Sequence, residues 1–110
     1  MGIYILDLDF FKHVNDTYGH DGGDAILKQA ADVLVRTMRR SDNLVRWGGE
    51  EFVAVAWVKD PAHVRIVAEK LRSAIERTEF TLPGGQVLRK TVSIGYGSMP
   101  FSASQPRLLR

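Results

Sequence analysis

Two adjacent glycines, Gly48-Gly49, constrain this chain more than any other pair of residues. They stand between a short apolar segment, Leu44-Val45, and the β-rich run Phe52-Val53-Ala54-Val55-Ala56-Trp57-Val58. Two such segments around a Gly-Gly pair predict a β-hairpin, with strands over 43–47 and 51–58. Glycine supplies positive φ without steric cost and lets another group approach the backbone closely. Two carboxylates sit here as well, Glu50 on the turn and Glu51 at the start of the outgoing strand. Bare backbone beside carboxylates suits a metal ion carrying a phosphate group. An ordinary Gly-Gly turn with solvated acids has the same local sequence, so the hairpin alone leaves both readings open.

The rest of the chain fits around that hairpin. Residues 2–9 are β-branched and apolar and predict a buried strand. Asp7 and Asp9 are two apart and share a face, which is costly inside a core unless a cation meets them. Residues 10–18 predict a short helix with Asp9 as N-cap and Gly19 as its stop. Asp21 or Gly22 opens a longer helix, on which Leu27, Ala30, Ala31, Leu34, Val35 and Met38 keep helical spacing. Arg36, Arg39 and Arg40 at its C-terminal end complement the helix dipole. Asp60-Pro61 starts a third helix, Pro61 in its first turn, with Val64, Val67, Ala68, Leu71 and Ile75 as the buried stripe. Pro83-Gly84-Gly85 is a turn, and Val92, Ile94 and Tyr96 alternate on one face of a last strand. From Ser98 onward the chain reads as irregular. The order strand, helix, helix, strand, strand, helix, strand predicts an α+β domain, an antiparallel sheet with helices over one face.

Composition narrows the function classes. At 110 residues the chain is one domain, and 45% hydrophobic residues suffice for a packed core. A net charge of +2 falls short of a nucleic-acid footprint. With no cysteine, disulfides and thiolate metal sites are excluded. No apolar run reaches the roughly 20 residues that span a bilayer, and no secretory leader is visible. The expectation is a cytoplasmic domain without nucleic-acid partners or direct membrane contact.

A second segment changes the weight of the hairpin. Asp7-Leu8-Asp9-Phe10-Phe11-Lys12 is followed by Asn15-Asp16, Tyr18-Gly19-His20 and Gly23-Asp24. With Gly48-Gly49-Glu50-Glu51-Phe52 in this order and spacing, the chain from Ile3 to about Gly97 resembles the GGDEF family of diguanylate cyclases, in the Glu variant of its signature. The resemblance implies a ferredoxin-like palm, as in polymerases and nucleotide cyclases. It implies an enzyme that condenses two GTP into cyclic di-GMP and two pyrophosphates, works as a homodimer with Mg²⁺ or Mn²⁺, and is inhibited by its product.

The family's site residues carry over position by position. Asp7, Glu50 and the Leu8 carbonyl resemble the metal ligands, hard oxygen donors suited to Mg²⁺, with two metals able to hold the triphosphate and activate a hydroxyl. Either Glu50 or Glu51 corresponds to the residue that promotes deprotonation of the 3′-hydroxyl, and Asp9 is either a further ligand or only a helix cap. Phe10-Phe11-Lys12 resembles the phosphate loop, consistent with a strand feeding a helix N-terminus. Either phenylalanine could instead be a core or staple residue. Asn15 and Asp24 resemble the guanine-reading pair, since a carboxylate and a carboxamide can accept from the N1–H and N2–H₂ donors. Taken singly they are a mid-helix polar residue and a first-turn acid.

Arg39-Arg40-Ser41-Asp42 ends with five residues between it and Gly48 and resembles the inhibitory RxxD site for cyclic di-GMP. Arg39 can fork onto a guanine edge or a phosphate. The nearest counterpart of a further family arginine is Lys70, which cannot form that fork. A surface Arg–Asp pair is the alternative.

Three features of the family have no counterpart here: an Asn-Arg-Arg turn before the first strand, the helix and strand after the last one read here, and an N-terminal sensor domain, expected in the full-length protein. The expectation is a single GGDEF domain over 1–110 lacking that last helix and strand, weak or inactive as given. A non-catalytic module binding cyclic di-GMP or GTP is the alternative. A palm enzyme making linear products is disfavoured by Asn15 and Asp24, which imply one chosen base.

Overall fold

The structure is a computed structural model that describes residues 1–98 and the backbone of Arg107–Leu109. Its elements are β1 (Gly2–Leu8), α1 (Phe11–Thr37), β2 (Asn43–Trp47), β3 (Glu51–Ala56), α2 (Ala62–Glu76), β4 (Phe80–Thr81), β5 (Val87–Leu88), β6 (Val92–Ser98) and β7 (Arg107–Leu109). Five strands form one antiparallel sheet in the order β2-β3-β1-β6-β7. This is the expected α+β architecture.

The period-2 pattern of β1 explains its central place. Tyr4, Leu6 and Leu8 are buried toward the helices, while Ile5 on the opposite face is 52% exposed. Tyr4 also donates its hydroxyl to the Val64 carbonyl at 2.8 Å, tying the sheet to α2. On α2, Val64, Ala68, Leu71 and Ile75 are buried and Val67 packs beside them, as the spacing predicts. This helix opens one residue later than expected: Pro61 is its N-cap, and the Asp60 carboxylate accepts from the Ala62 N–H at 3.0 Å.

The two helices expected over 10–38 are the two arms of α1, which meet at Gly19 (φ 75°, ψ 178°). Ile26, Leu27, Ala30, Val33 and Leu34 form the buried stripe of the second arm. Val35, expected in it, is 57% exposed. It follows Leu34 directly and so lies about 100° around the helix from it. Ile26 and Val33, missed in the sequence, keep the 3.6-residue period.

Three further expectations are corrected. Asp9 does not cap α1: the N-cap is Phe10, and no side chain caps it. The turn around Pro83 carries short strands, β4 and β5, whose hairpin is held to α1 by the Gln29 carboxamide, which donates to the Thr81 carbonyl at 2.8 Å and accepts from its N–H at 2.9 Å. Finally, Arg107–Leu109 pair with β6 as β7, whereas an irregular tail was expected; residues 99–106 lie outside the described residues.

Candidate active site

The site begins where β1 passes into α1. Phe10 adopts a left-handed conformation (φ 57°, ψ 32°), unusual for a bulky residue and a cost of about 1–3 kcal/mol. That single reversal splits the phenylalanine pair. Phe11 is buried in the core, and Phe10 is 80% exposed with the Lys90 ammonium 5.9 Å from its ring centre. Among the described residues no side chain caps the start of α1, where the His13 N–H turns back to the Phe10 carbonyl at 3.1 Å, so this helix N-terminus is left for an anion to meet.

Asp9 is held sideways. Its two carboxylate oxygens accept from the hydroxyls of Thr91 and Ser93, each at 2.6 Å, and its own N–H donates to the Thr91 carbonyl at 3.0 Å. It is a brace between β1 and β6. Asp7 differs: its Oδ1 is buried and, among the described residues, has no hydrogen-bond partner.

The β2–β3 hairpin brings the other acids to this point. Trp47 and Glu51 are the last paired residues, so 48–50 form the loop, with Gly48 at φ 74°. Arg46 donates to the Gly49 carbonyl at 2.9 Å and braces the turn. On β1, Asp7 stands opposite Glu51 in register, so both carboxylates lie on one face of the sheet. Burial, followed by the charges of Glu51 and Asp9, raises the Asp7 carboxyl above its ordinary range. Burial, then Asp7 and Glu51, does the same to Glu50.

An unpartnered buried carboxylate oxygen amid mutually repelling acids fits a divalent cation. Asp7, Glu50 and the Leu8 carbonyl are hard oxygen donors suited to Mg²⁺ or Mn²⁺. Among the described residues no three acidic or histidine side chains form a closed metal cluster.

Beside these acids lies a hollow of about 480 Å³, lined among others by Lys12, Asn15, His20, Asp24, Arg46 and Glu50. The bend at Gly19 creates it. Asn15 comes from the first arm of α1 and Asp24 from the second, and both reach the same space. Lys12, Glu50 and Glu51 line it too, so the expected phosphate, base and acid residues converge. His20 and Arg46 were not singled out as site residues by the sequence reasoning. His20 was signalled by its place in the Tyr18-Gly19-His20 pattern, and Arg46 only by standing two residues before the glycine pair.

At the far end of α1, Val35, Met38, Arg39, Arg40, Asp42 and Leu44 line a separate hollow of about 310 Å³. The Asp42 carboxylate accepts from the Arg39 main-chain N–H at 2.8 Å and from the Trp57 N–H at 3.4 Å. No ion pair joins Arg39 to Asp42 among the described residues. Lys70, expected to assist there, lines a different hollow with Thr37, Ile66 and Arg77.

The model of the family described as diguanylate cyclase, GGDEF domain, matches residues 1–109. The chain belongs to the GGDEF family. Diguanylate cyclase A of Treponema denticola is 36% identical over 101 residues, which are 92% of this chain and 27% of that protein. The chain thus spans about a quarter of that relative's length. Among solved structures, the GGDEF domain of YfiN from Pseudomonas aeruginosa superposes with a TM-score of 0.85 at 28% identity, over 90% of this chain and 62% of that one. The GGDEF domain of DgcB from Caulobacter crescentus, solved in complex with c-di-GMP, superposes with a TM-score of 0.78 at 29% identity, over 86% and 57%. The fold of this GGDEF domain is therefore the cyclase palm. Among its described residues no helix is long and apolar enough to cross a membrane.

Proposed function

We propose that this domain condenses two molecules of GTP into cyclic di-GMP, releasing two pyrophosphates. The observation that carries the reading is the Asp7 carboxylate oxygen, unpartnered among the described residues and set beside Glu51, which lines the same hollow as Glu50, Asn15 and Asp24. Guanine sits between Asn15 and Asp24, which accept from its N1–H and N2–H₂ groups. The phosphates lie against the Phe10-Phe11-Lys12 turn, where uncapped backbone N–H groups and the Lys12 ammonium meet negative charge. Asp7, Glu50 and the Leu8 carbonyl would hold Mg²⁺, which when bound would neutralise phosphate charge and favour ionisation of a hydroxyl beside it. Asp9 serves as a brace, because each of its oxygens already accepts from a hydroxyl of β6 or the residue just before it.

One such site binds one GTP, so two domains must face each other. The 3′-hydroxyl of each nucleotide attacks the α-phosphorus of the other, its proton passing to Glu50 or Glu51, and pyrophosphate leaves. A homodimer is the working form, and a sensor domain in the full-length protein would govern its pairing. The domain acts in the cytoplasm, where GTP is. Cyclic di-GMP binds at Arg39, where among the described residues the guanidinium has no ion-pair partner, and Asp42 fixes the turn that presents it. Lys70 lines a separate hollow. Incubating the full-length protein with GTP and Mg²⁺ and measuring the product mass tests the reaction. A linear dinucleotide, or no product, would reject it.

A further inference from the structure

Three glycines of the described residues, Gly19, Gly48 and Gly85, have positive φ and open space where a side chain would be. Their role is conformational. Gly23 is of the opposite kind. Its backbone lies in a region any residue adopts, it is buried inside α1, and a Cβ placed on it would stand 1.9 Å from Asn15 Oδ1 and 3.0 Å from Asn15 Cγ. The Phe11 ring edge is also 3.0 Å away. Such a glycine makes a helix interior less stable than alanine would, so space, not flexibility, accounts for it.

The contact depends on the hinge. Eight residues of an uninterrupted helix span about 12 Å, too far for Asn15 to touch the backbone at Gly23. Because α1 bends at Gly19, the first arm folds back along the second, and the Asn15 carboxamide rests on the bare backbone one residue before Asp24. The Phe11 ring, buried in the core, borders the same spot.

We infer that Gly23 is a positioning residue for base selection: its missing side chain is what seats the Asn15 carboxamide beside Asp24, facing the base end of the hollow. The inference rests on the proposed reading of Asn15 and Asp24 as the guanine-selecting pair. In Gly23→Ala the methyl group must displace the carboxamide, because the Phe11 ring is locked in the core.

The test compares GTP and ATP binding by calorimetry, with Mg²⁺, in the full chain and in Asn15→Ala, Gly23→Ala and the double variant. Asn15→Ala is expected to lower the preference for GTP roughly tenfold, the size of one lost hydrogen-bond partner. Gly23→Ala is expected to lower it by a similar factor, and the double variant no further than Asn15→Ala alone. Multiplying losses in the double variant, or an unchanged preference in Gly23→Ala, would overturn the role of Gly23 while leaving the base reading intact. An unchanged preference in Asn15→Ala would remove the base reading and this inference with it. If Gly23→Ala fails to fold, the double variant decides: with the carboxamide gone it should regain a cooperative melt, and its failure to do so would place the clash on Phe11 instead and reject the proposal.

Discussion

Asp7 and Asp9 are two residues apart at the end of the same strand, yet they meet different neighbours. Asp9 has both oxygens filled by the hydroxyls of Thr91 and Ser93, and its backbone N–H is bonded to the same segment. Asp7 keeps one buried oxygen without a partner among the described residues and stands opposite Glu51 on the neighbouring strand. A satisfied carboxylate holds structure together. An unsatisfied one among like charges stores a demand for a cation, and that demand is what makes a site. Asp42 belongs with Asp9: its oxygens accept from two main-chain N–H groups, so it shapes a turn. Glu50 belongs with Asp7, raised by burial and by its acidic neighbours.

The largest expected effect tests the unsatisfied group. Glu50→Gln keeps the size and polarity of the side chain and removes its charge. Turnover of GTP should fall by roughly 10³-fold or more, with the melting temperature within a few degrees of the parent. Wild-type turnover in a well-folded Glu50→Gln would place the demand for a cation elsewhere.

The satisfied group should answer in stability. Asp9→Ala strips two hydroxyls and the β1–β6 junction of their shared acceptor. It should cost about 1–3 kcal/mol, which for a domain of this size lowers the melting temperature by roughly 4–8 °C per kcal/mol. If Asp9→Ala melts like the parent but loses its response to Mg²⁺, Asp9 is a ligand and the contrast with Asp7 fails.

How far these roles could be read in the sequence follows from the range of the forces involved. The hairpin at Gly48, the stripe of α2 and the hinge at Gly19 are local patterns, and each is where its spacing puts it. Asp9 was read as a helix cap or a further ligand because its hydroxyl partners, Thr91 and Ser93, lie more than 80 residues away. The left-handed turn at Phe10 has no sequence signature, since glycine or asparagine is the usual occupant. Lys70 was paired with Arg39 by resemblance, but the rotation of α2 decides which hollow it lines. His20 and Arg46 carry no spacing rule of their own, and only the bend of α1 and the hairpin bring them to the hollow. Gly23 was read as part of a motif, while its contact with Asn15 exists only because of the hinge.

The distant Arg39–Asp42 turn offers a gentler test. Arg39→Ala should weaken cyclic di-GMP binding by roughly tenfold or more, as loss of a charge-assisted fork would, and leave turnover at low product concentration unchanged. Asp42→Ala is a poorer probe, because freeing the Arg39 and Trp57 N–H groups loosens the turn as well. Equal product affinity in Arg39→Ala and parent, measured by calorimetry, would leave a surface arginine and nothing more.

The smallest effect is the most diagnostic, because its sign is opposite to that of Asp9→Ala. In the metal-free domain Asp7→Asn removes a charge that its neighbours repel. Asp7 is only partly buried, and screening should hold the gain below about 1 kcal/mol. The pH dependence fixes the origin of that gain. The Asp7 and Glu50 carboxyls bind protons more tightly in the folded state than in the unfolded chain. Below the ordinary carboxyl range, near pH 4, both states are protonated and the contribution to stability is fully present. As pH rises through the raised folded-state values, the unfolded chain ionises first and that stability is lost. Parent and Asp7→Asn should therefore melt alike at low pH and diverge, with Asp7→Asn the more stable, as neutrality is approached. Mg²⁺ at neutral pH should then raise the parent's melting temperature and leave that of Asp7→Asn nearly unchanged, because the cation meets the charge that protonation met at low pH. A lower melting temperature for Asp7→Asn at neutral pH without metal, or an equal rise in both proteins with Mg²⁺, would mean that Asp7 is satisfied after all and that the two aspartates of β1 do the same work.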